Sequence, residues 1–328
     1  MKIAVVGATG LVGSVMLKVL QERGFSNETI IPAASQKSVG KKIQFASREL
    51  TVVSVEDAIN ENCDYAIFSA GSKVSKQYAP LFAEKGTVVI DNSSCWRMDK
   101  NVPLVIPEIN IDAVKPTDKI IANPNCSTIQ MLVAIAPLNK QYEIERIVVS
   151  TYQSVTGTGV KAVNQLACEE KGEKCQMAYT YPIYHNVLPY GGDFLENGYT
   201  TEEEKLVNET KKILGNPDIQ VTAMVARVPV VGGHSESVNL QFKKDYELNN
   251  VFTLLENTPG VKVLDQPSKH IYPMPILSEG KDEVFVGRLR RDNTIKSGLN
   301  MWVVADNLRK GAATNAIQIM QALIARKK

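Results

Sequence analysis

The chain begins with a short apolar segment that runs directly into a glycine-rich turn. Residues 3–6 predict a buried strand, residues 11–23 have the apolar spacing of a helix, and glycines occupy positions 7, 10 and 13. Further short strands are predicted at 30–34, 52–55, 65–69 and 88–90, with a helix at 74–85. Strands that alternate with helices run parallel, because each helix returns the chain to the same end of the sheet. The first part of the chain is therefore predicted to be an α/β domain with a doubly wound parallel sheet.

The pattern changes after about residue 127. A helix is predicted at 128–138, and it is followed by longer strands at 145–155, 219–231, 237–242, 283–290 and 299–305. The last two strands are separated by Asp292 and Asn293, a pair typical of a hairpin turn. We therefore expect a second, α+β domain with a mostly antiparallel sheet. Residues 311–325 have a strong helical pattern, and we expect this helix to pack back against the first domain.

Composition limits the classes of function. A chain of 328 residues is long enough for two domains, and its net charge of +2 gives no support for binding to nucleic acid or to a membrane surface. No apolar run approaches the ~18 residues of a membrane-spanning helix, and residues 2–6 do not resemble a signal peptide. The five cysteines form no C-x-x-C pair. We therefore expect reduced thiols, no metal site and a cytoplasmic location.

The glycine-rich turn is typical of a dinucleotide site. Glycine lets the backbone turn tightly and approach a pyrophosphate, which is then held by the positive end of the following helix. The spacing G-x-x-G-x-x-G is less specific than G-x-G-x-x-G, so a tight turn without a ligand remains the alternative. We expect a Rossmann-type domain that binds its dinucleotide through Gly7, Thr9, Gly10, Leu11, Val12 and Gly13.

The end of the second predicted strand indicates which dinucleotide binds. NAD enzymes usually place an Asp or Glu there to hold the ribose 2′-hydroxyl, but residues 34–42 contain no acid. Ser35, Lys37 and Ser38 suit a 2′-phosphate instead, so NADP is favoured. The alternative is a lysine-containing loop that is only solvated.

Cys126 lies in the sequence Asn-Pro-Asn-Cys-Ser-Thr, directly before an apolar helix. An ordinary thiol has a pKa of about 8.5 and is mostly protonated at pH 7, whereas the positive end of a helix stabilises the thiolate. Most single cysteines are packing residues, but a packing residue does not need this lead-in. We expect Cys126 to be a nucleophile, and Cys63, Cys168 and Cys175 to be structural.

The sequence Asn-Pro-Asn-Cys-Ser-Thr-Ile-Gln at 123–130 resembles the active-site signature of aspartate-semialdehyde dehydrogenases. The segments 91–98, 102–110 and 305–311 are also similar to that family, and the resemblance covers essentially the whole chain. It implies an NADP-binding domain at 1–126, completed by a helix at 308–328, and a catalytic and dimerisation domain at 127–307. It also implies a homodimer and leaves open whether dimers pair further.

The same resemblance implies an oxidoreductase that reduces L-aspartyl 4-phosphate to L-aspartate 4-semialdehyde through a cysteine thioester, with release of inorganic phosphate. This step belongs to the biosynthesis of diaminopimelate and lysine, threonine and methionine. Two rivals remain: an N-acetyl-γ-glutamyl-phosphate reductase, whose acylated substrate has no ammonium group, and a non-catalytic NADP-binding relative. Glyceraldehyde-3-phosphate dehydrogenase is disfavoured, since it lacks the Asn-Pro-Asn lead-in and normally prefers NAD.

Arg227 and His234 combine evidence from the residues with the resemblance. Arg227 is in phase with the apolar face of the strand predicted at 219–231, where a charge needs an anion, either an internal carboxylate or a substrate. His234 is one of three histidines and follows two glycines that give the backbone freedom. The family pattern R-x-P-V-x-x-G-H matches 227–234. It implies that Arg227 grips the substrate α-carboxylate and that His234 is the base.

The remaining assignments rest on the resemblance alone, because composition by itself indicates only a solvated helix start at 201–205. It implies that Glu202 holds the substrate ammonium, that Lys205, Arg97 and Asn125 hold the phosphate, and that Gln153 orients the thioester. The further cofactor contacts that it implies are Gly71, Gly157, Gly159 and Asn307.

Two positions depart from the family pattern. Lys37 stands where many relatives have arginine, which weakens the expected grip on a 2′-phosphate. Cys95 adds a second thiol, and its neighbour Arg97 is expected to favour a thiolate there.

Overall fold

The computed structural model describes residues 1–326, which form two compact units. The first unit contains Met1–Asn125 together with the described residues from Ala312 onward, and the second is Cys126–Gly311. Residues 327 and 328, which end the segment 308–328 predicted to complete the first domain, lie outside the described residues. None of the helices in residues 1–326 has both the length and the apolar character needed to cross a bilayer.

The helices and strands follow in chain order. Residues 1–125 contain β1 (Lys2–Val6), α1 (Leu11–Glu22), β2 (Thr29–Ala33), β3 (Lys42–Phe45), β4 (Arg48–Thr51), α2 (Val55–Asn60), β5 (Tyr65–Phe68), α3 (Ser72–Glu84), β6 (Val88–Asp91), α4 (Pro107–Asn110) and β7 (Ile120–Ala122). Residues 126–326 contain α5 (Cys126–Tyr142), β8 (Ile144–Gln153), α6 (Val160–Glu170), α7 (Thr201–Leu214), β9 (Gln220–Arg227), β10 (His234–Phe242), α8 (Leu248–Glu256), β11 (Val261–Val263), α9 (Pro275–Ser278), β12 (Val284–Asp292), β13 (Gly298–Ala305) and α10 (Thr314–Arg326).

Five strands of the first unit form a parallel sheet in the order β2-β1-β5-β6-β7. Side chains alternate between the two faces of a strand. Ile3 and Val5 therefore pack on one face with α1 and α10, and Ala4 and Val6 pack on the other face with α2 and α3. Helices cover both faces, so the prediction of a doubly wound parallel sheet is confirmed.

Helix α10 supplies part of the core of the first unit. Ala316, Ile317 and Met320 are fully buried in the same cluster as Ile3 and Val5. The core of this unit is therefore assembled from two segments that the whole second unit separates along the chain.

The second unit is built on a six-stranded sheet in the order β11-β12-β13-β10-β8-β9. The three central pairings are antiparallel, and the pairings at the two ends are parallel. The prediction of a mostly antiparallel second sheet is therefore confirmed, with parallel strands at both edges. On β8, β9 and β10 the inward-facing Val149, Val225 and Val238 are buried, whereas Met224 faces outward and is 62% exposed.

One predicted strand is wrong. Residues 52–55 form only an isolated parallel bridge, between Val53 and Ala33, and Val55 begins α2. Ser54 caps this helix, since its side-chain oxygen accepts the backbone N–H of Asp57 at 3.0 Å. The capping bond satisfies a donor at the helix end and outweighs the strand preference of the valines.

Further differences from the sequence prediction include the end of one strand and a hairpin. The strand predicted at 219–231 ends at Arg227, because Pro229 has no N–H for the ladder and Gly232 turns the chain with φ of 97°. The hairpin of β3 and β4 was not predicted. Its turn lacks an Asn-Gly pair and instead holds Ala46 at φ of 52°.

Candidate active site

Cys126 is the first residue of α5 and is partly exposed, and the first turn of that helix contains no acidic residue. The chain before it is held by the fully buried Asn123. Nδ2 of Asn123 donates to Asn92 Oδ1 at 2.6 Å and to the carbonyl oxygen of Ala312 at 3.3 Å, and its Oδ1 accepts from Asn315 Nδ2 at 2.7 Å. The Asn-Pro-Asn lead-in therefore fixes the backbone that runs into the thiol.

Gln153 ends β8 and is fully buried. Its Nε2 donates to the hydroxyl oxygen of Ser127, the residue after Cys126, at 2.9 Å. Its Oε1 has no hydrogen-bond partner within the described residues. The amide is thus anchored at one end and presents an open acceptor at the other.

Arg227 ends β9 and pairs in register with Gln153 on the neighbouring parallel strand. It continues the inward face of Ala223 and Val225 and is only 8% exposed. Its Nη1 has no hydrogen-bond partner within residues 1–326. A buried guanidinium with an open donor fits an anionic group of a ligand, because a buried charge without a partner is costly.

His234 begins β10 and is fully buried. Its Nδ1 accepts the backbone N–H of Ser154 at 2.9 Å, so the neutral ring carries its proton on Nε2. Burial, and then the positive charge of Arg227, lower the pKa of His234 to about 3. The ring is therefore neutral at physiological pH, and Nε2–H is a donor that has no partner within the described residues.

Gly157 marks the place where these two donors converge. A Cβ atom added at Gly157 would lie 3.0 Å from Arg227 Nη1 and 3.0 Å from His234 Nε2. Arg227 Nη1 and His234 Nε2 thus form a pair of buried N–H donors that lies close against the backbone of residue 157, where glycine leaves room for them. Two converging donors suit a carboxylate or an oxygen that gains negative charge during a reaction.

Helix α7 presents Glu202 and Lys205, which form an ion pair of 2.9 Å. Glu202 and Glu203 are both buried, so these residues are not a solvated helix start. Thr200 and Glu203 form a capping box, and Glu203 Oε1 also accepts the backbone N–H of Val225 on β9 at 2.9 Å. Glu203 thus holds the first turn of α7, including Glu202, against the strand that ends at Arg227.

The loop after β8 connects His234 to Asn307. The hydroxyl groups of Ser154 and Thr156 are 2.7 Å apart, and Thr156 donates to Asn307 Oδ1 at 2.9 Å. The same loop contains Gly157 and ends at Gly159, which precedes α6 with φ of 102°. The predicted cofactor contacts of this unit therefore lie in one hydrogen-bonded segment with the ring of His234.

Arg97 and Asn125 belong to the first unit, and both are buried. Nη2 of Arg97 donates to the carbonyl oxygen of Asn92 at 2.9 Å. Asn92 also binds Asn123, so Arg97 is tied to the same network that fixes the lead-in to the thiol. The predicted phosphate ligands are thus divided between the units, with Lys205 in the second.

A cleft of about 480 Å³ opens at the carboxyl ends of β1, β2 and β5, where the strand order of the parallel sheet reverses. Ligands of such sheets bind at this position. Gly7 approaches β5 so closely, with φ of 92°, that a Cβ there would lie 2.3 Å from the carbonyl oxygen of Ser69. Of the predicted cofactor residues, Gly7, Thr9, Gly10 and Ser35 line the cleft.

The other predicted cofactor residues of the first unit surround this cleft. Leu11, Val12 and Gly13 form the first turn of α1, and Gly71 precedes α3 with φ of 83°. Beyond β2, Ser38 is buried with its hydroxyl 3.4 Å from that of Thr9, and Lys37 is exposed. The carboxylate of Glu56, which was not among the predicted site residues, also lines the cleft and accepts a hydrogen bond from the Tyr78 hydroxyl.

Comparison with known proteins identifies the family. Residues 2–117 match the family described as "Semialdehyde dehydrogenase, NAD binding domain", and residues 135–310 match "Semialdehyde dehydrogenase, dimerisation domain". The chain is 49% identical to the aspartate-semialdehyde dehydrogenase of Aquifex aeolicus over 332 residues, which covers 98% of each chain. It is also 44% identical to the Bacillus subtilis enzyme of that name, over 98% of this chain and 96% of the relative. This chain belongs to the aspartate-semialdehyde dehydrogenase family.

Solved structures of aspartate-semialdehyde dehydrogenases have the same fold. Aspartate semialdehyde dehydrogenase II of Vibrio cholerae matches with a TM-score of 0.94 and 43% identity, covering 99% of this chain and 98% of that one. The Candida albicans enzyme, whose crystal structure contains NADP, matches with a TM-score of 0.78 and 25% identity over 99% of both chains. The resemblance seen in the sequence is confirmed, and the chain is an oxidoreductase of this family.

Glu203, Ser127 and Ser154, which hold predicted site residues in place, were not themselves predicted. Glu203 had a signal, because Thr-x-x-Glu at 200–203 is the pattern of a capping box. The sequence around Ser127 and Ser154 contains no comparable signal. Their contacts join residues that are 26 and 80 positions apart in the sequence, and only the strand register brings these together.

Proposed function

We propose that this enzyme reduces L-aspartyl 4-phosphate to L-aspartate 4-semialdehyde with NADPH, through a thioester on Cys126. The observation that carries the proposal is the donor pair beside Gly157, where Nη1 of Arg227 and Nε2 of His234 converge without a protein partner among the described residues. The thiol at the start of α5 belongs to the same unit. A thiol nucleophile and fixed donors for developing negative charge are the groups that acyl transfer needs.

The thiolate of Cys126 attacks the acyl carbon of the substrate. A sulfur–carbon bond forms, the bond between that carbon and the phosphate oxygen breaks, and inorganic phosphate leaves with the electron pair. NADPH held by the first unit would supply the hydride that reduces the thioester. The tetrahedral adduct then expels the Cys126 thiolate and releases the aldehyde. Gln153, anchored by Ser127, orients the acyl group during these steps.

His234 acts at Nε2. In the neutral ring this nitrogen donates a hydrogen bond to the substrate oxygen as negative charge develops there. The sequence analysis expected His234 to act as a base, which requires an Nε2 that carries no proton. The proton of the neutral ring would then be on Nδ1, and Nδ1 could no longer accept the hydrogen bond from Ser154. The neutral ring with its proton on Nε2 is therefore the form of His234 before substrate binds.

Arg227 binds the α-carboxylate through two N–H groups. Glu202 binds the substrate ammonium, and Lys205, Arg97 and Asn125 bind the phosphate. Substrate binding exchanges the ion pair between Glu202 and Lys205 for these new contacts. The buried Glu202 also disfavours an N-acetyl-γ-glutamyl-phosphate reductase, because an acylated nitrogen has no charge to balance this carboxylate.

NADP is the proposed cofactor, held by the first unit. The tight approach of Gly7 to Ser69 keeps the turn clear of side chains where a pyrophosphate would bind. No acid follows β2, and the hydroxyl groups of Ser35, Ser38 and Thr9 lie at that end of the cleft with Lys37 nearby. Residues 1–126 with 308–328 form the NADP-binding domain in this proposal, and 127–307 form the catalytic and dimerisation domain.

We also propose a cytoplasmic homodimer, with pairing of dimers left open. The outward face of the second sheet carries Met224 together with Tyr152 and Trp302, whose rings lie 5.4 Å apart. An apolar face of this kind suits burial against a second copy. A reducing compartment suits a thiol nucleophile, and within the described residues no disulfide links the five cysteines.

The substrate assignment predicts the outcome of one assay. The purified enzyme is supplied with NADP, phosphate and, in turn, aspartate semialdehyde, N-acetylglutamate semialdehyde and glyceraldehyde 3-phosphate, and NADPH absorbance is followed. We expect a kcat/KM for aspartate semialdehyde at least ~100-fold above the other two, since only this substrate matches both Arg227 and Glu202. Turnover of N-acetylglutamate semialdehyde at an equal rate would contradict the assignment.

The cofactor assignment predicts that Lys37→Ala weakens the use of NADP. We expect kcat/KM to fall roughly tenfold with NADP and to change little with NAD, because only NADP has a 2′-phosphate to pair with the lysine. Lys41→Ala, an exposed lysine in the same stretch, is the matched control and should leave both values unchanged. Equal kcat/KM values for the two cofactors in the unaltered enzyme would rule out the assigned preference.

A further inference from the structure

Glu236 is a fully buried acid that the proposed mechanism does not use. It lies on β10 two residues after His234, on the same inward face, since side chains alternate along a strand. Its cross-strand neighbours are Thr151 on β8 and Val303 on β13. Within the described residues neither carboxyl oxygen makes a hydrogen bond of ordinary length and angle.

Besides the hydroxyl of Thr151, the polar groups beside this carboxyl come from the start of α5. They are the side chains of Ser127 and Gln130, and none of the three carries a charge. Burial raises the pKa of Glu236 well above its ordinary value, against the smaller opposing effects of Gln130 and Ser127. A buried carboxylate without a counter-charge is very costly, so the group is a neutral acid with one O–H donor and further acceptor capacity.

The directions of the neighbouring hydrogen bonds leave a place for such an acid. Ser127 accepts from Gln153 Nε2 at 2.9 Å, so its hydroxyl hydrogen points in another direction. Gln130 Nε2 donates to the backbone oxygen of His234 at 3.3 Å, and Gln130 Oε1 has no partner within residues 1–326. A neutral Glu236 can accept from Ser127 and donate to Gln130 after small side-chain rotations.

We propose that Glu236 is a positioning residue that joins Ser127 and Gln130 in one directed chain of hydrogen bonds. The chain runs from the amide of Gln153 through Ser127, Glu236 and Gln130 to the backbone oxygen of His234. It fixes the amide of Gln153 and the first turn of α5, which begins with Cys126. The inference rests on the proposed function, because Gln153 and Cys126 act in that mechanism.

Two substitutions and a control test the role in turnover. Glu236→Gln keeps a neutral donor and acceptor, so we expect its kcat within about threefold of the unaltered enzyme and an unchanged pH profile of kcat. Glu236→Leu removes both hydrogen bonds, and kcat should fall roughly 10- to 100-fold with little change in the KM for NADP. Val238→Ala, on the same buried face of β10, should lower the unfolding temperature and leave kcat nearly unchanged.

An infrared measurement tests the protonation state without using activity. The difference spectrum between the unaltered enzyme and Glu236→Gln at about pH 8 should contain the carbonyl stretch of a protonated carboxylic acid. Absence of that band overturns the proposal, and so does a Glu236→Gln enzyme as slow as Glu236→Leu. If the unaltered enzyme does not turn over aspartate semialdehyde, the proposed function fails, whereas the infrared band still decides the state of Glu236. If Glu236→Leu does not fold, the band and the Glu236→Gln kinetics still decide the proposal.

Discussion

Cys126→Ala is expected to fold, to bind NADP as the unaltered enzyme does, and to lose turnover by at least about a thousandfold. In the proposed mechanism the sulfur of Cys126 forms the thioester, and an alanine side chain has no nucleophilic atom. The cleft proposed for NADP is lined by residues of the first unit, whereas Cys126 belongs to the second, so the substitution leaves the lining of the cleft unchanged. Turnover is measured from NADPH absorbance, and NADP binding is measured by calorimetry. A Cys126→Ala enzyme that keeps its turnover would refute the mechanism.

Alkylation with iodoacetamide provides the second readout for this thiol. Burial raises the pKa of Cys63 to about 11 and also raises the pKa of Cys175. Burial and the negative charge of Asp91 raise the pKa of Cys95, so the thiolate expected there from Arg97 is not favoured. We therefore expect peptide mass spectrometry to find that Cys126 is labelled first, at a pH where these three thiols are protonated. Bound substrate should protect Cys126 from labelling. Cys95→Ala is the control and should keep full turnover.

Arg227→Lys is expected to damage substrate use although the charge is retained. Lysine cannot reproduce the planar pair of N–H donors, and its ammonium group does not occupy the position of Nη1 beside Gly157. The loss of one charge-assisted hydrogen bond should lower kcat/KM for aspartate semialdehyde roughly 10- to 100-fold, mostly through KM. Steady-state kinetics with NADP held at saturation measure this effect.

The control for Arg227→Lys is an arginine of the same sheet that does not face His234 and Gly157. Arg146 on β8 is half-buried, and its Nη1 lies 3.5 Å from Asn239 Oδ1. Arg146→Lys should leave both kcat and KM close to those of the unaltered enzyme. Kinetics of Arg227→Lys that match this control would show that Arg227 is only structural.

The parts of the molecule that were predictable from the sequence depend on short stretches of chain. The strand at 3–6, the turn at Gly7 and the helix that follows are specified by about twenty neighbouring residues. The position of Cys126 at a helix start could likewise be predicted from its immediate neighbours. The error at 52–55 also has a local cause, since the capping bond of Ser54 competes with the strand preference of the valines.

The donor pair of Arg227 and His234 and the buried acid Glu236 depend instead on strand register. Nothing near His234 in the sequence shows that Ser154 binds its ring from 80 positions away. Glu236 lies between two serines, a pattern that looks like solvent-exposed strand. Its burial follows only once β10 is paired between β8 and β13 with its even-numbered residues turned inward. Long-range pairing of this kind cannot be read from a local pattern.

The hydrogen bonds of Asn123 have a consequence for the order in which the enzyme is made. The Asn123 side chain meets Ala312 and Asn315, which the ribosome adds only after all of residues 126–311. Ile3 and Val5 share a core cluster with Ile317 and Met320, which are also synthesised after residue 311. A nascent chain therefore contains Cys126 long before it contains the segment that steadies the backbone ahead of this thiol, and the first unit can be completed only after the whole second unit has been synthesised.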